Sequence, residues 1–133
     1  MQFIRGSSSY TRLEFHVSYK VKYCHEVFEI PEIKQECEEI FYEVSRKYEF
    51  VIKEIGFRRD HVYLILLLKV TQSLAMVSKW LKGTSGFKIL KKYPEVKAKY
   101  FWGSGFWSPV IYADAVGASG QNPERLYSYV RNQ

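Results

Sequence analysis

Cysteine is scarce in this chain. Its two cysteines, Cys24 and Cys37, form no CxxC pair and no cluster with histidine, which excludes the ligand spacing of a structural zinc site. Cys37 falls on the apolar stripe of a helical pattern and is expected to be buried. Long apolar runs are also missing. The longest, Leu64 to Leu68, falls far short of the ~20 residues that cross a bilayer. Met1 to Thr11 lacks the apolar centre of a secretion signal, so the expectation is a cytoplasmic protein with no membrane partner. No internal repeat or low-complexity tract interrupts the sequence. Acid is thin in one region above all: residues 71–100 hold a single acidic residue, Glu95, against seven lysines.

What is present is a core-forming, basic composition. The 133 residues are 47% hydrophobic and 17% aromatic, enough apolar surface for one domain with a real core. Residues 1–10, with Gly6-Ser7-Ser8-Ser9, read as a flexible lead, and residues 11–133 as a single domain. Twenty Lys and Arg against 14 Asp and Glu leave a net charge of +6, a long-range attraction for polyanions. Charge alone does not separate DNA from RNA or an anionic membrane.

Periodicity sets the element order. From Arg12 to Tyr23, Leu13, Phe15, Val17, Tyr19 and Val21 alternate with Glu14, His16, Ser18, Lys20 and Lys22, the period of a half-buried strand. Pro31 suits a first helical turn, and Ile33, Cys37, Ile40, Phe41 and Val44 recur at helical spacing to about Tyr48. Phe50 to Phe57 reads as a second strand, Arg58-Arg59-Asp60 as a polar turn, and His61 to Val70 as a nearly all-apolar, hence central, strand. Leu74, Val77 and Leu81 begin a second helix, which Gly83 is expected to interrupt. Lys88 to Lys99 is helix or loop around Pro94, and Phe101 to Val116 is strand-like, with Gly103 and Gly105 bending its start. Asn122, Pro123 and Glu124 open a final helix over about residues 122–133. The expected class is α+β: a ferredoxin-like βαββαβ antiparallel sheet with helices on one face, plus the C-terminal helix. Gly117 to Gly120 is a plausible hinge before that helix.

Three places carry chemistry. On a strand, His61 and Tyr63 project to one face, about 7 Å apart; alone, the pair reads first as a strand-end histidine and a sheet aromatic, and only second as a metal site. On the last helix, Tyr129 and Gln133 stand at i and i+4 and share a face. A phenol is a poor nucleophile at its ordinary pKa, near 10, and a cation that polarises a phosphate makes its attack feasible. The third place is the basic segment, where Lys79, Lys82, Lys88, Lys91 and Lys92 interleave with Trp80 and other rings. Lysines neutralise phosphates and rings stack on bases, so Lys79, Trp80, Lys82, Lys88, Lys91 and Lys92 are candidate nucleic-acid contacts.

Four stretches together resemble the single-tyrosine transposases of the HUH class, from about Thr11 to Gln133. Phe15-His16-Val17-Ser18-Tyr19-Lys20-Val21-Lys22-Tyr23 is similar to the family's first strand. Asp60-His61-Val62-Tyr63-Leu64 is similar to the strand carrying the HUH motif. Phe106-Trp107-Ser108-Pro109, after Trp102-Gly103, resembles its aromatic motif. Tyr129-Val130-Arg131-Asn132-Gln133 resembles its nucleophile helix. The resemblance implies cleavage and rejoining of single-stranded DNA at insertion-sequence ends through a 5′-phosphotyrosine. Tyr129 would be the nucleophile, and His61 and Gln133 ligands of a divalent metal, Mn or Mg. Where this chain has Tyr63, the family usually has histidine, and a neutral phenol is the poorer ligand. The resemblance also implies a homodimer acting on DNA with hairpin ends. An alternative from another class is a noncatalytic single-stranded nucleic-acid-binding module, since ferredoxin-like sheets also stack bases.

Overall fold

The computed structural model describes residues 12–101 and 103–115. Four strands and three helices follow one another as β1 (Arg12–Val21), α1 (Pro31–Tyr48), β2 (Val51–Phe57), β3 (His61–Lys69), α2 (Leu74–Lys92), α3 (Pro94–Tyr100) and β4 (Trp107–Ala115), with two short 3-10 turns, Lys22–Cys24 and Val27–Glu29, between β1 and α1. The sheet order is β2-β3-β1-β4, and every neighbouring pair is antiparallel. This is the ferredoxin-like arrangement the element order implies, with the apolar β3 in the interior of the sheet.

Alternation in β1 and β3 decides which face is covered. Val17, Tyr19 and Val21 of β1 and Val62, Leu64, Leu66 and Leu68 of β3 are buried in one cluster with Ile33, Cys37, Ile40 and Phe41 of α1 and Val77, Leu81 and Ile89 of α2. Tyr19 anchors the contact: its Oη lies 2.6 Å from Ser78 Oγ on α2, and its ring meets Phe41 edge-on. Burial of that phenol pushes its pKa well above the usual value. The other face of the sheet carries Glu14, His16, Ser18 and Lys20 from β1, His61 and Tyr63 from β3, and Tyr112 and Asp114 from β4.

Several boundaries differ from the sequence expectation. β1 stops at Val21, because Tyr23 and Cys24 turn into the left-handed region with φ of 62° and 56°. β2 begins at Val51 and β3 ends at Lys69. α2 is not interrupted at Gly83; the helix runs unbroken to Lys92, since one exposed glycine costs only about 1 kcal/mol against the apolar stripe that holds it. Pro94 separates α2 from α3 and takes the first turn of the latter. β4 starts at Trp107, not near Phe101. Phe101 is buried beside α3, and Gly103, at φ 74°, reverses the chain. Trp107 then donates from its indole nitrogen to Ser85 Oγ at 2.9 Å. Gly86 faces this contact, and a Cβ there would stand in ordinary van der Waals contact, 3.4 Å from Phe106 Cβ and 3.5 Å from Trp107 Cδ1. The lead over 1–10, the Gly117 to Gly120 hinge, the final helix, Tyr129 and Gln133 lie outside the described residues.

Candidate functional site

His61 stands at the first position of β3, on the sheet face opposite α1 and α2. The turn before it is clamped from three sides by backbone bonds. Val21 donates to Asp60 O at 2.9 Å, Phe28 to Arg59 O at 3.1 Å, and Arg58 to His61 O at 2.8 Å. His61 Nδ1 lies 2.9 Å from Asp60 Oδ1. A carboxylate only accepts, so Nδ1 carries the hydrogen, and in the neutral ring Nε2 has the lone pair. This is the arrangement that orients metal-binding imidazoles in general. His61 and Asp60 line a cleft of about 620 Å³ with Lys20, Arg58, Arg59 and Tyr112. Lys20 Nζ sits 5.8 Å from the centre of the Tyr112 ring. Lys20 and Arg58 beside the imidazole, with Arg59 paired to Glu29 at 3.2 Å and Glu26 also on the lining, make a pocket that attracts a phosphodiester.

Tyr63 shares this face and contacts His16. In the β1–β3 register His61 faces Lys20 and Tyr63 faces Ser18, while His16 lies one pair further on. Tyr63 Oη is 3.3 Å from His16 Nδ1, and the rings meet edge-on at 6.1 Å. His16 Nε2 is in turn 3.3 Å from Glu14 Oε2. Across β1 from His16 is Asp114, 4% exposed, with no hydrogen-bond partner for either carboxylate oxygen. Burial pushes the Asp114 carboxyl up, and the His16 imidazole opposes the shift. Among the described residues no three His, Cys, Asp or Glu side chains converge as a ready metal cluster.

The candidate nucleic-acid residues all lie on α2, which packs on the other face of the sheet from His61. The structure sorts them. Lys88 pairs with Glu43 at 3.5 Å and Lys92 with Glu36 at 2.8 Å, both acids on α1. Trp80 stacks on Tyr48, ring centres 3.8 Å apart and 8° from parallel. Lys79 is exposed. Lys82 and Lys91 line an apolar groove of about 680 Å³, with Lys97, Phe87, Gly86 and Trp107. Lys82 is half-buried, and desolvation lowers its pKa. Phe87 is 68% exposed, with Lys91 Nζ 5.8 Å from its ring centre. The charge balance of residues 71–100 is blind to the acids that α1 brings to this helix, and it gives no special weight to Lys97 and Phe87. It also leaves aside Lys20, Arg58 and Arg59, whose signal is the alternation of β1 and the polar turn before His61.

The family described as "Transposase IS200 like" matches residues 9–133. A curated relative, the ISDra2 transposase TnpA of Deinococcus radiodurans, is 29% identical over 105 residues, which cover 79% of this chain and 74% of that protein. A crystal structure of a candidate transposase from Deinococcus radiodurans superposes with a TM-score of 0.79 at 24% identity, covering 100% of this chain and 98% of that one. A REP-associated tyrosine transposase bound to a REP hairpin gives a TM-score of 0.58 at 13% identity over 89% of this chain and 62% of that one. Both structural likenesses concern the fold. No helix among the described residues is long and apolar enough to cross a membrane.

Proposed function

The chain belongs to the family of IS200-like transposases, and we propose that it cleaves and rejoins single-stranded DNA at insertion-sequence ends through a 5′-phosphotyrosine on Tyr129. The observation that carries this reading is the Asp60–His61 pair at the floor of a basic cleft. Lys20 and Arg58 would hold the scissile phosphate by charge, while Arg59 is engaged with Glu29. The described residues fit a divalent cation through His61, whose ring is fixed by Asp60 and whose Nε2 has the lone pair in the neutral ring. Gln133 is the further expected ligand. Bound there, Mn²⁺ or Mg²⁺ would polarise the phosphate and stabilise charge on its oxygens.

Tyr129 Oη would attack phosphorus as its proton leaves to solvent. The bond to the 3′ oxygen breaks, giving a free 3′-OH and a 5′-phosphotyrosine. Attack by another 3′-OH on that phosphorus reverses the step and joins two strands, with no external energy source. A homodimer acting on hairpin-ended DNA completes the reading; the REP-associated relative bound to a hairpin supports the DNA partner. Lys82, Lys91 and Lys97 remain available for phosphates, whereas Lys88 and Lys92 are engaged with α1. The test is Tyr129→Phe: it should abolish SDS-resistant attachment to single-stranded DNA while retaining the fold. Attachment at the wild-type level would rule the assignment out. A binding module would be indifferent to EDTA and would form no adduct.

A further inference from the structure

We propose that the sheet face opposite α1 and α2 carries a second divalent-cation site, built from Asp114 of β4, His16 of β1 and Tyr63 of β3, separate from His61. It stands apart from the phosphotyrosine reading and needs nothing from it. Asp114 is a buried carboxylate, and both its oxygens lack a partner. An uncompensated buried carboxylate is costly, and a charge in that position calls for a cation or a proton. His16 is its direct cross-strand neighbour.

The His16 ring is also set up as a ligand. Its Nε2 lies 3.3 Å from Glu14 Oε2. Since the carboxylate accepts, Nε2 carries the hydrogen, and in the neutral ring Nδ1 has the lone pair. That repeats, on the neighbouring strand, the carboxylate–imidazole orientation seen at Asp60–His61. Tyr63 Oη lies 3.3 Å from this same Nδ1. Two donors bound ~2.1 Å from one cation at octahedral or tetrahedral angles stand roughly 3.0–3.4 Å apart. The hydroxyl hydrogen of Tyr63 would rotate off Nδ1 when the cation enters, leaving a neutral phenol oxygen as the third donor. One nitrogen and two oxygens suit Mn²⁺ better than a soft-ligand metal. Lys53, which bonds Glu14 Oε1 at 3.3 Å, keeps that carboxylate in its orienting role. The bond of Tyr63 to His16 then places the phenol at this second site.

The experiment uses the full chain and Mn²⁺ alone. Manganese titrations followed by electron paramagnetic resonance would be run on wild type, His61→Gln, and His61→Gln combined with either Asp114→Asn or His16→Gln. Expected is one retained Mn²⁺ in His61→Gln, weakened by about tenfold or more in each double variant. Should a variant fail to fold, wild type suffices: substoichiometric Mn²⁺ should broaden amide resonances of Val17, Ile65 and Ala113. Loss of all Mn²⁺ in His61→Gln, no change with Asp114→Asn, or broadening confined to residues around His61 would each overturn the site. The Tyr129 adduct is scored separately, so failure here leaves that reading untouched, and the reverse.

Discussion

Removing the Asp60 carboxylate should damage the candidate centre without damaging the fold. The side chain touches His61 Nδ1 at 2.9 Å and is partly exposed. The backbone bond from Val21 to Asp60 O survives any substitution. Asp60→Ala therefore frees the His61 ring to rotate and to change tautomer. Outer-shell losses of this kind weaken metal affinity by roughly 10–100-fold, or about 1.4–2.7 kcal/mol. Asp60→Asn keeps an acceptor at the same place and loses the charge, so it should fall between. Mn²⁺ dependence of adduct formation on single-stranded DNA is the assay. The half-saturating Mn²⁺ concentration should rise for Asp60→Ala, and excess Mn²⁺ should restore much of the rate. An unchanged Mn²⁺ dependence, with the melting temperature also unchanged, would show that Asp60 does not position His61 and would refute the argument.

Other expectations rest on single interactions. Tyr19→Phe strands the buried Ser78 hydroxyl and should cost about 1–3 kcal/mol in denaturant unfolding, with Tyr19→Phe plus Ser78→Ala costing less than the two single changes summed. Gly83→Ala should stabilise α2 by up to about 1 kcal/mol, because nothing lies within 4 Å of the added Cβ; a lower melting temperature would contradict this. Lys82→Ala or Lys91→Ala should weaken single-stranded DNA binding and flatten its salt dependence by about 0.7 for each phosphate that is no longer neutralised. Lys88→Ala and Lys92→Ala, whose ammonium groups face Glu43 and Glu36, should change the slope less.

The alternation of β1 and the helical stripe of α1 made the covered face legible, because a period of two or of 3.6 is set by the backbone and needs no partner to be read. The apolar run after His61 likewise placed β3 inside the sheet. What escaped was everything decided by residues distant in sequence. Gly83 does not end α2, because packing across two turns outweighs one glycine. Lys88 and Lys92 looked unopposed until α1 brought Glu43 and Glu36 alongside. His61 was visible from its motif, yet the contact of Tyr63 with His16 depends on the β1–β3 register. Asp114 gave no local signal at all; its meaning comes from burial opposite His16.

The most direct measurement is incubation of the wild-type chain with 5′- and 3′-labelled single-stranded element ends and Mn²⁺, resolved on a denaturing gel beside Tyr129→Phe and an EDTA control. A covalent band retaining the fragment 3′ of the cut, with a released fragment ending in 3′-OH, present only for wild type with metal, is the predicted result. The same band in Tyr129→Phe, or binding with no covalent band for wild type under any divalent cation, would contradict it.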